Sequence, residues 1–305
     1  MKPTRTVVIT GSNTGIGAAC ALLLAKEGVH LVLACRSEER AAPVLARIRE
    51  RGATASFLGL DLGDLAQSAA AGEALARRHE TIDLLINNAG LAGRRGLTSD
   101  GYEIAFGTNH LAHFAFTLPL VARVAGVRGR VVNVSSGNHR DPKGIPWEQL
   151  RERTRSFSGM SEYGVSKLCN VLFTAELRRR VPDITAVSMN PGRIASDIWR
   201  SVPQPFRSVL PTLLAMKPVE IGGGYLVHAA EVALEGDDAP IYFDKGQAKP
   251  ANPLALREDL AAQLWDYSAA AVARACSRPA GALQGGPDEG PAHVASRMIV
   301  NVPAP

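Results

Sequence analysis

Short apolar runs alternate with longer segments of helical periodicity along most of the chain. Runs rich in Val, Ile and Leu are typical of buried strands, whereas apolar residues three and four positions apart indicate one face of a helix. The predicted strands are Arg5–Thr10, His30–Ala34, Ala55–Gly59, Ile82–Ile86, Gly129–Val134, Ile184–Met189 and Ala239–Phe243. The predicted helices include Gly15–Glu27, Glu38–Arg51, Leu65–Arg78, Asp100–Val124, Glu162–Arg180 and Asn252–Cys276. This alternation predicts an α/β domain with a parallel sheet of about seven strands and helices on both faces.

The pattern predicts one domain over residues 1–276, without internal repeats or a second core. A polar stretch at 137–159, with Pro142, Pro146 and Trp147, interrupts the alternation and is interpreted as an insertion between strand and helix. Beyond residue 276 the composition shifts to Gly, Pro and Ala, which predicts a flexible tail over 277–305.

Composition and charge exclude several classes of protein. The net charge is +5, but the basic residues are scattered, so nucleic-acid binding is not expected. The four cysteines are far apart and show no metal-type spacing, which favours reduced thiols and no metal site. The chain enters a buried-strand pattern at Arg5 and has no apolar run long enough to cross a bilayer. We therefore expect a cytoplasmic protein without a membrane span.

A glycine-rich turn follows the first predicted strand. Glycines at 11, 15 and 17 precede a helix that begins with small residues, so the backbone can approach a pyrophosphate at the helix N-terminus. After the second strand, where a carboxylate would bind the ribose 2′-hydroxyl of NAD, the chain has Arg36 followed by Ser37. A guanidinium there favours a 2′-phosphate, so the sequence predicts a Rossmann-type fold that binds NADP(H). The alternative interpretation of each feature is a tight turn and a surface arginine.

Further motifs follow along the chain in a characteristic order. Together with the glycine turn they are Thr10-Gly-x-x-x-Gly-x-Gly17, Asp61-Leu62, Asn87-Asn-Ala-Gly90, Asn109, Val132-Asn-Val-Ser-Ser136, Tyr163-x-x-x-Lys167 and Asn190-Pro-Gly192. This set resembles the short-chain dehydrogenase/reductase superfamily, and the segments 109–114 and 166–173 are most similar to its retinol dehydrogenase and NADP-dependent carbonyl reductase branch. The motifs span about 190 residues, and together they are far more specific than any one of them.

The resemblance implies a catalytic set of Asn109, Ser136, Tyr163 and Lys167. Tyr163 and Lys167 are four residues apart and would share one helix face. A nearby ammonium would lower the pKa of the tyrosine and make proton exchange with a substrate oxygen feasible. By resemblance, Lys167 also binds the nicotinamide ribose, Ser136 donates to the substrate oxygen, and Asn109 holds a water linked to Lys167. Ser135 stays open as an alternative to Ser136, and a structural role stays open for Asn109.

The remaining predicted cofactor contacts also rest on the resemblance. Asp61 would accept a hydrogen bond from the adenine, with a helix N-cap as its alternative role, and the backbone near Ile194 would meet the nicotinamide carboxamide. His110 and His113 are interpreted as structural because no third ligand accompanies them. The full predicted cofactor set is Gly11, Ser12, Asn13, Thr14, Gly15, Ile16, Gly17, Arg36, Ser37, Asp61, Leu62, Asn88, Ala89, Gly90, Tyr163, Lys167, Pro191, Gly192, Ile194 and Ser196.

The segment 193–218 carries many apolar residues and would form a lid over the substrate, which favours an apolar carbonyl or alcohol. The predicted reaction is NADP(H)-dependent interconversion of the two, with the proton exchanged by Tyr163. Two other functions stay open: a non-redox isomerase, cyclase or epimerase on the same scaffold, and a non-catalytic NADP(H) sensor. The helices 100–124 and 162–180 match the pair that many family members use to dimerise, and the insertion could mask them, so a homodimer and a monomer both stay open.

Overall fold

The computed structural model describes residues 4–195, 216–234 and 239–278. Within these residues the sheet has eight strands: β1 (Arg5–Thr10), β2 (Val29–Cys35), β3 (Thr54–Gly59), β4 (Leu84–Asn87), β5 (Arg130–Val134), β6 (Thr185–Asn190), β7 (Tyr242–Asp244) and β8 (Gln247–Ala248). Their order across the sheet is β3-β2-β1-β4-β5-β6-β7-β8. All neighbours pair in parallel except β7 and β8, which form an antiparallel hairpin. The sequence predicted about seven strands. Strand β8 has only two residues, which is too short for a periodic signal.

Helices cover both faces of this sheet, as predicted. They are α1 (Gly15–Leu24), α2 (Glu38–Glu50), α3 (Leu65–Arg78), α4 (104–125, described below), α5 (Met160–Arg180), α6 (Val219–Glu231) and α7 (Glu258–Cys276). Short 3₁₀ turns lie at Gly137–Arg140, Trp147–Arg151 and Pro253–Leu256. The first two of these turns lie within the predicted insertion.

Successive residues of β1 face opposite sides of the sheet and belong to two different core clusters. Val7 and Ile9 belong to the cluster beneath α1, α2 and α6, whereas Val8 belongs to the cluster beneath α3, α4, α5 and α7. All three are fully buried, as expected for a central parallel strand. Strand β1 pairs with β2 on one side and with β4 on the other. The connections to the strands on the two sides of β1 therefore run in opposite directions across the sheet. This arrangement opens a crevice at the carboxyl ends of the strands, where α/β sheets bind ligands.

Helix α4 is irregular. It consists of an α-helical turn at Ile104–Phe106, a π-helical turn at Gly107–Leu111, α-helix at Ala112–Thr117, a 3₁₀ turn at Leu118–Leu120 and α-helix at Val121–Ala125. The predicted start at Asp100 is wrong because the buried carboxylate of Glu103 accepts hydrogen bonds from the Ala105 and Phe106 backbone N–H groups, 2.8 and 2.9 Å away, and so begins the helix. The π turn contains Asn109, and such turns are common at functional sites.

Buried hydrogen bonds fix helix α5 on the sheet. Asn87 on β4 donates to Asn133 on β5 at 2.8 Å, and Asn133 donates to the Thr174 hydroxyl on α5 at 2.9 Å. The Thr174 and Ser188 hydroxyls lie 2.7 Å apart, which extends the chain of hydrogen bonds to β6. Asn170 of α5 donates to the Val134 carbonyl at 3.1 Å. Because each of these groups is buried, displacing α5 along the sheet would leave several of them without partners.

The sequence did not predict α6, whose three consecutive glycines are usually read as a helix breaker. In the structure these glycines let α6 approach α1 closely. A Cβ atom on Gly223 would lie 2.8 Å from the Cβ of Ala19, and one on Gly222 would lie 3.0 Å from Ile194. Packing between the helices therefore outweighs the intrinsic helix propensity of glycine. Helix α1 itself ends at Leu24, three residues earlier than predicted.

Helix α7 packs on α5 and α3, and its buried residues complete the core cluster that contains Val8. It begins at Glu258, after the 3₁₀ turn, rather than at the predicted Asn252. Trp265 makes an edge-on contact with Phe114, with ring centroids 5.0 Å apart, and its ring lies 4.8 Å from the Arg180 guanidinium. Thus α7, rather than the insertion, covers part of the surface on which the dimer expectation rested. Oligomeric state stays a prediction.

Parts of the predicted organisation lie outside the described residues. These are the lid residues 196–215, including Ser196, and nearly all of the predicted tail. The single domain over 1–276 stays a prediction. Among the helices that the structure describes, none is both long enough and apolar enough to cross a membrane.

Replacing Trp265 with Ala tests how much α7 contributes to stability. Trp265 is buried among Phe114, Phe173 and Arg180, so truncation should lower the free energy of unfolding by about 3–5 kcal/mol, measured by urea denaturation. Trp265→Phe keeps an aromatic ring in the same contacts and should lose much less. Equal stability of the alanine variant and the native protein would show that α7 is not an integral part of the core.

Candidate active site

A cavity of about 1010 Å³ lies at the carboxyl ends of the strands. Its wall contains the turns that follow β1, β2, β4, β5 and β6, together with the N-terminal part of α5. Of the predicted site residues, it brings together Gly11, Asn13, Thr14, Gly15, Ile16, Gly17, Arg36, Ser37, Asp61, Leu62, Asn88, Ala89, Gly90, Ser136, Tyr163, Lys167, Pro191, Gly192 and Ile194. Ser12 and Asn109 are not part of this wall, and Ser196 lies outside the described residues.

Three positions of the turn between β1 and α1 require glycine. Gly11 and Gly15 have φ angles of +65° and +60°, which disfavour residues with a Cβ. A Cβ on Gly17 would lie 2.5 Å from the Gly11 carbonyl oxygen. The first N–H groups of a helix have no partner within it, and residues 15–17 line the cavity. This donor set fits the pyrophosphate of a dinucleotide.

Ser12 lies behind this turn, where its buried hydroxyl donates to the Ile9 carbonyl at 2.8 Å. The Ser12 hydroxyl therefore holds the turn, and a cofactor contact of Ser12 stays a prediction.

A buried threonine joins the glycine turn to the loop after β4. The Thr10 hydroxyl oxygen accepts hydrogen bonds from the backbone N–H groups of Asn88 and Ala89, at 2.9 and 3.0 Å. The Asn88 amide donates to the Thr10 carbonyl at 2.9 Å. His113 contacts the Thr10 hydroxyl through Nε2 at 2.9 Å, and its Nδ1 donates to the Asn109 carbonyl at 3.0 Å. Burial lowers the pKa of His113 to about 4, so the ring is neutral and its Nε2 accepts a hydrogen bond from the Thr10 hydroxyl.

His110 has a similar structural environment. Its Nε2 lies 3.0 Å from the Ser268 hydroxyl on α7, and burial lowers its pKa to about 3. Among the described residues, no group of three or more His, Cys, Asp and Glu side chains is placed to hold a metal ion.

Helix α5 carries Tyr163 and Lys167 on the face that lines the cavity. The helix begins after Gly159, whose φ of +68° turns the chain into it. The Lys167 ammonium donates to the Val134 carbonyl at 2.9 Å and lies 5.6 Å from the centre of the Tyr163 ring. Both residues are buried, Lys167 at 2% exposure and Tyr163 at 6%, although both reach the cavity wall.

Burial dominates the protonation equilibria of this pair. It lowers the pKa of Lys167 from its ordinary value of 10.5 to about 7. It also raises the pKa of Tyr163 to about 12, and the nearby Ser136 hydroxyl opposes this rise only in part. The predicted lowering of the Tyr163 pKa by Lys167 is therefore wrong for the protein alone, because removal of the phenolate from water has the larger effect. The sequence gives the spacing of the pair but not its burial.

Ser136 ends the loop after β5 and is the more accessible of the two adjacent serines. Its hydroxyl donates to the Asn138 side-chain oxygen at 3.1 Å and accepts from the Asn138 backbone N–H at 3.3 Å. Ser135 is buried, and its hydroxyl donates to the Lys167 carbonyl at 2.8 Å. The geometry thus favours Ser136 over Ser135 as the group available to a ligand.

Asn109 lies just behind the wall, in the π turn of α4. Its amide donates to the Leu91 carbonyl and to the Ser166 hydroxyl, each at 3.0 Å, and its oxygen accepts from the Leu91 backbone N–H at 2.9 Å. It therefore ties α4 to α5 and to the loop after β4, as the structural alternative predicted. A Cβ on Gly90 would lie 3.1 Å from the Asn109 Oδ1 atom and 3.5 Å from Lys167 Nζ, so glycine keeps the space between them open.

The other predicted positions have defined local roles. Asp61 lines the cavity and accepts from the Gly63 backbone N–H at 3.0 Å; the N-cap of α3 is Asp64 instead. The Ser37 hydroxyl caps α2 by accepting from the Arg40 backbone N–H at 3.2 Å. Arg36 is exposed at the cavity wall beside it.

The motifs did not indicate several polar residues of the wall, among them Asn138, Asp141, Lys217 and Lys245. Asn138 and Asp141 lie in the polar insertion, two and five residues after Ser136. The Asp-Lys-Gly sequence at 244–246 has the composition of a hairpin turn, and this was the available signal for Lys245. No motif indicated Lys217, because its backbone pairs with Ile194, a residue far from it in sequence.

Known proteins of similar sequence and fold identify the family. The sequence profile of the short chain dehydrogenase family matches residues 5–147. Human retinol dehydrogenase 13 is 34% identical over 88% of this chain and 85% of its own length. The chain belongs to the short-chain dehydrogenase/reductase family.

Solved structures agree with this assignment. A protein of Mycobacterium paratuberculosis is 32% identical, with a TM-score of 0.69 over 88% of this chain and 93% of that one. A short-chain dehydrogenase from Sphingobium yanoikuyae in complex with NADPH is 26% identical, with a TM-score of 0.57 over 73% of this chain and 82% of that one. The predicted superfamily, the retinol dehydrogenase-like branch and the Rossmann-type fold are confirmed. The protein is an oxidoreductase of this family, whose members use a nicotinamide cofactor.

The buried Lys167 makes a prediction for stability as a function of pH. Below about pH 7 both the folded and the unfolded protein hold the proton, so the full penalty for a buried ammonium applies. Between about pH 7 and pH 10.5 only the unfolded protein binds it, so the penalty falls as pH rises. Relative to Lys167→Met, the native protein should gain up to about 1.4 kcal/mol in unfolding free energy per pH unit in this window.

The measurement is urea denaturation of both proteins at a series of pH values without added nucleotide. A stability difference that stays constant through the window would show that the pKa of Lys167 is near its ordinary value.

Proposed function

We propose that this short-chain dehydrogenase interconverts a carbonyl and an alcohol on an apolar substrate, with NADP(H) as cofactor. The observation that carries the proposal is a single cavity whose wall contains the glycine turn, Arg36, Ser136, Tyr163 and Lys167. A dinucleotide bound along this wall would place one end at the turn after β2 and the other beside Tyr163. When bound, the nicotinamide ring supplies or accepts the hydride.

Tyr163 would exchange the proton with the substrate oxygen. Its pKa of about 12 keeps the phenol protonated at neutral pH, which suits donation to the oxygen of a carbonyl undergoing reduction. Ser136 can turn its hydroxyl from Asn138 toward the same oxygen and stabilise developing negative charge. In the oxidative direction, a positive charge nearby would help Tyr163 to lose its proton.

Lys167 would supply that charge and hold the nicotinamide ribose. With a pKa near 7 in the protein alone, it needs hydrogen-bond acceptors to stay charged, and it has the Val134 carbonyl as one. The ribose hydroxyls would provide others. A water near Gly90, between Lys167 and Asn109, would pass a proton onward.

The turn after β2 supports NADP(H) over NAD(H). Arg36 and Arg40 both line the cavity there beside Ser37, and no carboxylate follows β2 directly. Two guanidinium groups suit a 2′-phosphate, since each forms charge-assisted hydrogen bonds with it. The bound NADPH of the Sphingobium yanoikuyae relative is consistent with this choice. The name of the human relative, retinol dehydrogenase 13, is consistent with an apolar substrate.

Tyr163→Phe tests the acid–base assignment. Loss of the exchangeable proton should reduce kcat by roughly 10²–10⁴-fold, because general acid catalysis contributes in that range. The dissociation constant of NADPH should hardly change. Activity is followed through NADPH absorbance with a panel of apolar aldehydes and ketones, and binding by calorimetry.

Tyr267→Phe is the matched control, since it removes a phenolic hydroxyl from a half-buried tyrosine on α7, outside the cavity wall. Near-native turnover by the Tyr163 variant would refute the assignment. Tight NADPH binding without oxidation on any carbonyl would favour the non-redox alternative.

Arg36→Asp tests the cofactor assignment. A carboxylate should repel the 2′-phosphate and leave the ribose hydroxyl of NADH acceptable, so the dissociation constant of NADPH should rise by roughly tenfold or more. That of NADH should change little.

Arg47→Asp makes the same change of charge on the exposed face of α2 and should affect neither cofactor. Equal weakening of NADPH and NADH by the Arg36 variant would mean that Arg36 does not bind the 2′-phosphate.

A further inference from the structure

The part of the cavity wall beside Gly192 carries positive charge that neither the family motifs nor the cofactor assignment explains. Arg193, Lys217 and Lys245 line the cavity wall beside Gly192, near the carboxyl ends of β6 and β7. None of the three forms an ion pair with a carboxylate elsewhere in the described residues. We call these three residues the cationic cluster.

The hairpin between β7 and β8 holds Lys245 in place. Asp244 pairs with Gln247, so Lys245 and Gly246 form a two-residue turn with φ angles of +52° and +78°. The first position of such a turn favours Asn, Asp or Gly, because a lysine there adopts a disfavoured left-handed conformation. The Lys245 backbone N–H donates to the Asn190 carbonyl at 2.9 Å and so fixes the turn to the end of β6.

The Lys245 side chain lies along the loop that enters the cavity. A Cβ on Gly192 would be 3.1 Å from both Cγ and Cδ of Lys245, so the lysine stem lies directly over that glycine. Any other residue at 192 would displace the stem and would also be strained at the φ of +84° found there. Gly192 thus clears the path along which Lys245 reaches the wall.

Backbone hydrogen bonds connect the segments that carry the other two cations. The Lys217 N–H donates to the Arg193 carbonyl at 2.9 Å, and the Ala195 N–H donates to the Lys217 carbonyl at 3.0 Å. These bonds pair Lys217 with Ile194, the neighbour of Arg193, and both Arg193 and Lys217 line the cavity wall.

One carboxylate of the wall, Asp244, precedes Lys245 in the chain. It accepts a hydrogen bond from the Asn190 amide at 2.8 Å and forms its ion pair with Lys249, at 4.0 Å, rather than with a member of the cluster.

We propose that the cationic cluster binds an anionic group of the substrate, a carboxylate or phosphate that lies away from the reacting carbonyl. The proposal rests on the proposed function and narrows its substrate class from apolar carbonyls to amphipathic ones, with an apolar body and an anionic end. The pyrophosphate and the 2′-phosphate have their own sites at the glycine turn and at Arg36, so the cofactor does not account for the cluster.

The test compares pairs of aldehydes of equal chain length: succinic, adipic and azelaic semialdehydes against butanal, hexanal and nonanal. The native enzyme should show a kcat/KM for at least one semialdehyde roughly tenfold above that of its neutral partner, the value of one charge-assisted contact. Lys245→Gln should remove most of this preference and leave the alkanal kinetics and the NADPH dissociation constant unchanged. Raising the salt concentration from about 0.05 M to about 0.5 M should also reduce it.

Lys143→Gln is the control, since it removes one positive charge from an exposed position of the insertion outside the cavity wall. It should keep the preference. No preference in the native enzyme, or a preference that Lys245→Gln leaves intact, would overturn the proposal. A loss that falls on NADPH affinity instead would assign the cluster to the cofactor and would also overturn it.

A binding measurement separates this proposal from the proposed function. Calorimetry gives the dissociation constants of nonanoate and nonanol for the native protein and for Lys245→Gln, in the presence of NADPH. If nonanoate binds more tightly than nonanol only in the native protein while no aldehyde is reduced, the anion site stands and the proposed reaction fails. If aldehydes are reduced but the two ligands bind equally in both proteins, the reaction stands and the anion site fails.

Discussion

The position of helix α5 on the sheet depends on a network of buried hydrogen bonds. Asn87, Asn133, Thr174 and Ser188 connect β4, β5, α5 and β6 through groups that would lose their partners if the helix moved by one residue. The Val134 carbonyl, at the end of this network, accepts from both Asn170 and Lys167. The same constraint that sets the register of the helix therefore sets the position of the ammonium in the active site. Polar groups in the core here specify a geometry as well as contributing to stability.

The site also depends on removing charged groups from water. Tyr163 and Lys167 are both nearly inaccessible, and burial disfavours the phenolate of one and the ammonium of the other. Ligand hydroxyls at Lys167 would change this balance by giving the ammonium new acceptors. Binding and protonation are therefore coupled at one lysine, and its affinity for a polyhydroxylated ligand should depend on its own charge.

The parts of the fold predicted from sequence are those with strong local signals. Strand β1 has the predicted bounds, because a six-residue run with Val and Ile between polar ends is typical of a short buried strand. The wall of the cavity was predictable for a related reason: the motif residues follow strand ends, and parallel strands bring those ends to one edge of the sheet. Helix α6 could not be predicted, since its stability comes from the close approach of Gly223 to Ala19 across the interface. The burial of Tyr163, which reverses the expected direction of its pKa shift, and the position of Lys217 likewise depend on contacts far apart in sequence.

The covering of α4 and α5 by helix α7 has a consequence for biosynthesis. Trp265 contacts Phe114 and Phe173, partners that leave the ribosome about 150 and 90 residues earlier at a rate of roughly 5–20 residues per second. During that interval α7 is not yet available to cover the aromatic face of α4 and α5. Such surfaces are the targets of chaperones and the origin of aggregation. Production of this enzyme should therefore be more sensitive to premature termination before residue 258 than the distance of α7 from the cavity would suggest.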